Sequence, residues 1–152
     1  MDIHGEQVLP AGKEVVWRML NDPDVLRECI PGCEALSADG ENQMTATVAI
    51  KIGPIKARFS GSVKLQNLNP PTSYSIVGEG KGGVAGFAKG TADVLLEEKS
   101  DATLLKYKVD VAIGGKIAQL GARLIDSTSK KLTEQFFDKF AEKVRTASDV
   151  PA

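Results

Sequence analysis

The period of the hydrophobic pattern changes once along this chain, and that change limits what it can fold into. From about Cys33 to Gly115 apolar residues recur at every second position, the repeat of a strand with one buried face. Met44, Ala46, Val48, Ile50 and Ile52 alternate with Thr45, Thr47, Ala49 and Lys51. After Gly53-Pro54, a tight-turn signal, Ile55, Ala57, Phe59, Gly61, Val63 and Leu65 alternate with Lys56, Arg58, Ser60, Ser62 and Lys64. Tyr74 and Ile76, then Ala92, Val94 and Leu96, then Leu105, Tyr107, Val109, Val111 and Ile113 continue the repeat. Beyond Gly114-Gly115 the period becomes helical. Ile117, Leu120, Gly121, Leu124, Ile125, Leu132, Phe136, Phe140 and Val144 share a broad face from Lys116 to about Arg145. A helix of that length would be about 45 Å long.

The start of the chain is simpler. Residues 2–9 read as a strand, and Pro10-Ala11-Gly12 interrupts it. Val15, Val16, Trp17, Met19 and Leu20 then predict a short helix over 13–21, which Asp22-Pro23-Asp24 stops. One or two further turns follow over 25–30 before the turn at Pro31-Gly32. With short connections throughout, about seven strands form an antiparallel meander. A sheet of that size twists and curls, and its concave face needs a cover. Only the terminal helix is long enough, so the expected class is α+β, a helix-grip arrangement. Residues 1–146 form one domain, and residues 147–152, which carry no pattern, are expected to fray.

Composition removes several functions. The 19 basic and 20 acidic residues leave a net charge of -1, and aromatic residues make up 5% of the chain, so neither a basic field nor a base-stacking surface points to nucleic acid. No apolar run is long enough to span a bilayer. Met1 to Glu6 has no basic stretch followed by an apolar one, so no signal peptide is expected and a cytoplasmic location is. Cys29 and Cys33 are too few ligands for a metal and fit two small residues packing a turn. No cofactor is called for. His4 is the sole histidine, and no nucleophile partner is evident for it, so no catalytic residue is assigned.

Two surfaces remain as candidates. Ala118, Gly121 and Ala122 on the helix face small inward strand positions, Ala46, Ala57, Gly61, Gly78 and Ala92. Small residues opposite small residues leave either close backbone contact or a void. A void would be a pocket walled by Trp17, Leu20, Phe59, Tyr74, Phe87, Tyr107, Leu120, Gly121 and Leu124, suited to an apolar small molecule. Arg123 is the charged group nearest to it. The segment Gly78–Gly90 contains six glycines between two strands, which fits a flexible hairpin or a gate rather than a phosphate loop. Lys51, Lys56, Arg58 and Lys64 form the second surface, an outer face for solvent, for anionic lipid or for an acidic partner.

Three segments carry a resemblance: Asp22-Pro23, the turn Ile30-Pro31-Gly32-Cys33, and Gly115-Lys116-Ile117-Ala118-Gln119-Leu120-Gly121-Ala122-Arg123-Leu124-Ile125. In these the chain resembles the CoxG family of carbon monoxide dehydrogenase subunits, within the START-like group of helix-grip domains. The resemblance implies a non-enzymatic accessory protein to a molybdenum-containing carbon monoxide dehydrogenase or related hydroxylase. It implies membrane association or electron delivery by handling a quinone or lipid, with peripheral contact at the inner membrane face. Two alternatives stay open. One is a cyclase- or hydrolase-type enzyme using Tyr74, Tyr107 or Asp93 in the same cavity. The other is a ligand-free membrane adaptor.

Overall fold

The computed structural model describes residues 2–149. Strand β1 (Asp2–Leu9) leads into helices α1 (Lys13–Leu20) and α2 (Pro23–Cys29). Six strands follow: β2 (Cys33–Gly40), β3 (Gln43–Ile52), β4 (Ile55–Asn69), β5 (Ser73–Lys81), β6 (Phe87–Lys99) and β7 (Ala102–Gly114). A 3₁₀ turn (Lys116–Leu120) and helix α3 (Ala122–Asp149) complete the described chain.

The seven strands form one antiparallel sheet in the order β1-β7-β6-β5-β4-β3-β2. The alternation read from the sequence is the observed facing. Ala46, Gly61, Gly80 and Ala88 are cross-strand neighbours on the concave face, while Thr45, Ser62, Glu79 and Lys89 occupy the convex one. Glycines let the sheet curl. A Cβ on Gly61 would sit 2.0 Å from the Glu79 carbonyl oxygen, and one on Gly90 would sit 2.5 Å from that of Asp110. Only hydrogen fits where neighbouring strands close in this tightly.

Local chemistry places the two short helices. The Asp22 carboxylate accepts from the backbone N–H of Asp24 at 2.9 Å, capping α2, and Pro23 occupies the first turn, where its missing N–H costs nothing. Gly32, at φ +74, lies against the Ala49 backbone, whose N–H donates to the Gly32 carbonyl at 2.9 Å. The turn after α2 is thereby fastened to β3.

The core sits at one end. Leu9, Val16, Leu105, Phe140 and Val144 are at most 2% exposed and pack α1, α2 and the second half of α3 onto the sheet. Phe136 stacks on Phe140 with centroids 5.7 Å apart, and Phe137 lies over Tyr107 at 5.3 Å.

The terminal helix differs from the continuous one expected over residues 116–145. Gly115 and Gly121 have φ +83 and +96, and the stretch between them winds as a 3₁₀ turn anchored by the buried Ile117. α3 begins at Ala122 and runs on to Asp149, past the expected end. Ala147 packs against the core, while residues 150–152 of the expected tail lie outside the described residues. Among the described residues no helix is long and apolar enough to cross a membrane.

Candidate functional site

Away from the filled core, sheet and helix part. On the concave face Ala46, Gly61, Gly78, Gly80, Ala88 and Gly90 form the floor of a hollow of about 270 Å³, with Val48, Phe59, Val63 and Val111 around it. Val111 also lines an adjoining cleft of about 790 Å³ between the end of β7 and the start of α3. Ile113, Ala118, Ala122 and Ile125 supply that cleft's apolar wall, and Arg123 and Asp126 its polar rim. On the far side Leu124 meets the β3–β4 turn, 2.9 Å from where a Cβ on Gly53 would lie. The groove is open, and nearly all of its floor is apolar. The same glycines create curvature and space, because each one lets a strand bend and leaves no side chain behind.

A third hollow, of about 390 Å³, continues along α3 past Asp126. Here the lining turns polar, with Gln7, Tyr107, Lys130, Thr133 and Glu134. Lys130 pairs with Asp126 at 3.3 Å across one helical turn.

The expected wall residues divide into groups. Phe59 edges the hollow, its ring covering Gly82. Leu120 is half-buried at the cleft end of the 3₁₀ turn. Trp17, Leu20 and Tyr74 lie instead in the packed core or against it, with Trp17 edge-on to Tyr74 at 5.1 Å. Tyr107 bridges that core and the polar hollow. Phe87 shares the convex-face parity of Lys89 and Thr91, and its ring lies over Gly114. Gly121 is exposed, and nothing lies within 4 Å of where its Cβ would be. Of the small positions expected opposite the helix, Ala46, Gly61 and Gly78 reach the hollow. Gly80, Ala88 and Gly90 join them from the segment read as a flexible hairpin or a gate, although the alternation Ala92, Gly90, Ala88 runs straight through it.

That glycine-rich segment is mostly strand. Its tip is a 3₁₀ turn over Gly83–Ala85, closed by the Gly82 N–H donating to the Gly86 carbonyl at 2.8 Å. Ala85 is buried, and Gly86 abuts the Gly114 carbonyl. The tip is therefore docked on the junction between β7 and α3.

The basic hairpin face is also divided. Lys51 and Lys56 face each other beside the β3–β4 turn. Arg58 donates twice to the Glu34 carboxylate, at 2.5 and 3.1 Å. That pairing holds the Glu34 carboxyl below its ordinary range. Lys64 pairs with Gln43, near the opposite end of the strands.

The groups considered for acid–base chemistry do not converge. Tyr74 is buried on the concave side, and desolvation pushes its phenol well above the ordinary tyrosine range. Burial also raises Tyr107. Asp93 lies on the convex side, accepting from Ser75 Oγ at 2.7 Å. Cys29 and Cys33 are free thiols, and desolvation raises both. No cluster of three or more potential metal ligands occurs among the described residues.

The family model for CoxG, a carbon monoxide dehydrogenase subunit, matches residues 5–145. The chain belongs to the CoxG family. A conserved protein from Geobacillus kaustophilus has a similar solved structure, 30% identical, with a TM-score of 0.91 and 97% of each chain covered. A START superfamily protein from Mycobacterium smegmatis matches at 14% identity and TM-score 0.71, covering 96% of this chain and 98% of that one. The Zhui aromatase/cyclase from Streptomyces matches at 8% and 0.66, covering 95% and 93%. At those two identities the likeness is one of fold: a CoxG-family chain on a START-like helix-grip frame. No curated protein matches the chain. The family segment Gly115–Ile125 coincides with the 3₁₀ turn and the first residues of α3, the wall of the cleft.

Proposed function

We propose that this CoxG-family chain is a non-enzymatic accessory protein that takes an apolar small molecule, a quinone or a lipid, into the groove between sheet and helix. It serves a carbon monoxide dehydrogenase-type molybdenum oxidoreductase in membrane association or electron delivery, from the cytoplasmic side. The observation that carries this reading is the apolar hollow floored by small residues and opening into the larger cleft beneath Ala118 and Ala122. Binding sites for small molecules fall in roughly the 300–1,000 Å³ range, and burial of apolar ligand surface drives their occupation. Glu79 and Lys89, the charged residues of its lining, have the parity of the convex face, which leaves an apolar floor and disfavours a strongly charged cargo.

The groove can be filled without disturbing the sheet. Gly80 has ordinary strand geometry, and a Cβ there would find its nearest neighbour, Phe59 Cβ, at 3.9 Å. Gly80→Leu, with Ala88→Leu as an independent second variant, should abolish retention of apolar ligand in native mass spectrometry after purification from the host. Far-ultraviolet circular dichroism should stay unchanged. A folded variant that still carries ligand would overturn the groove as the binding site.

A further inference from the structure

The antiparallel meander brings three connections to one end of the sheet: the β3–β4 turn, the β5–β6 tip, and the junction from β7 to α3. Between them, residues 51–56, 81–87 and 114–123 contain Lys51, Lys56, Lys81, Lys116 and Arg123 and no Asp or Glu. All five cations are exposed, and no ion pair among the described residues engages them. The nearest acid along β5 is Glu79, which faces Lys89 one row further in. The opposite end is mixed and leans acidic. Its turns hold Asp39, Glu41 and Asp101, and the end of β6 adds Glu98 and Glu97, the latter paired with Lys106, against Lys64, Lys99 and the half-buried Lys13.

The basic end also carries an unusual apolar group. Val84, at the apex of the β5–β6 tip, is 89% exposed, more than any other large hydrophobic residue among those described. It stands on the 3₁₀ turn that follows Lys81, and that turn is docked through Gly86 on Gly114 and Gly115, next in sequence to Lys116. An apolar apex at an end that carries five unpaired cations fits an anionic bilayer: the cations meet headgroup phosphates and carboxylates while the side chain enters the interface. The cleft opens at this same end, between β7 and the start of α3.

We propose that this end of the sheet docks on an anionic phospholipid bilayer, with Val84 in the interface and the groove mouth facing the acyl region. The inference rests on the groove reading above and adds the surface, its orientation and the lipid class. The acidic end then points away from the membrane, free of repulsion from the lipid charge.

Co-sedimentation tests this with vesicles of phosphatidylcholine alone and of an equimolar phosphatidylcholine–phosphatidylserine mixture. Binding should require phosphatidylserine and weaken as salt is raised. Lys81→Gln and Lys116→Gln should each reduce the partition coefficient about fivefold. Val84→Asp should reduce it too, and an environment-sensitive dye on Val84→Cys should shift to the blue on binding. Lys64→Gln, toward the other end of the strands, should stay near the wild-type value. Equal binding to both vesicle types, or equal loss from Lys64→Gln and Lys81→Gln, would overturn the proposal. So would the absence of vesicle binding, which would leave this face to a protein partner. Ligand retention by the same variants separates the two readings: Lys81→Gln and Lys116→Gln should keep their ligand, whereas Gly80→Leu should lose ligand and still bind vesicles.

Discussion

Single residues decide more here than their size suggests. Thr103 is fully buried on β7, and its hydroxyl donates to the Ala11 carbonyl at 2.7 Å, tying the start of α1 to the sheet. Thr103→Val keeps the volume and strands that carbonyl, so it should cost about 1–3 kcal/mol, read from urea unfolding. A cost near zero would mean that water or another donor reaches Ala11. Thr103 shares the parity of Leu105 and Tyr107, but its partner lies 92 residues away, and no local pattern points to it. Arg58 teaches a similar lesson. Its charge suggested a docking face, and a carboxylate two strands away at Glu34 already holds it.

Among the elements, the glycine junctions set the shape of the groove. Gly86 and Gly121 both have positive φ that side chains rarely adopt, at +123 and +96. Their surroundings differ. A Cβ on Gly86 would lie 2.2 Å from the Gly114 carbonyl oxygen, and one on Gly121 would meet nothing within 4 Å. Both alanine variants should therefore lose about 1–3 kcal/mol to backbone strain, with Gly86→Ala clearly the worse. Hydrogen exchange should also show lost protection at Gly82 and Ala85 in Gly86→Ala alone, because its tip can no longer dock. Equal losses would refute the packing argument. The sequence placed Gly121 on a continuous helix because its spacing suits one. It breaks instead because its φ lies outside the helical range, which periodicity does not record.

At the scale of the whole molecule, three exposed ion pairs cross between elements. Lys143 on α3 pairs with Glu28 on α2, Arg58 with Glu34, and Lys106 with Glu97. Each hydrogen bond and its charge lower the acid below the ordinary value of 4.5. A carboxyl lowered on folding adds stability above its unfolded pKa and loses it as pH falls through the folded one. Urea midpoints should therefore be flat near neutrality and decline below pH 4.5, the ordinary value for these carboxyls. Lys143→Met should shrink that decline by lowering the neutral midpoint a little and leaving the acid end where it was, a small change because exposed pairs contribute little. An undiminished decline in Lys143→Met would show that the α2–α3 pair does not form.

What the sequence determined by itself follows from period and sterics. The strands, the facing of their residues apart from Phe87, the two short helices and the terminal cover apart from its break at Gly121 are local consequences of alternation, helical spacing and turn chemistry. The groove needed more. Ala46, Gly61, Gly80 and Ala88 lie far apart in the chain and become neighbours only through strand register. Curl then decides that their row forms a hollow, while Trp17, Leu20 and Tyr74 fill the other end with core. The charged end has the same origin, since its five cations come from three separate connections. Register and curl depend on contacts across the whole sheet, so the tertiary structure alone decided where this molecule is hollow and which end is basic.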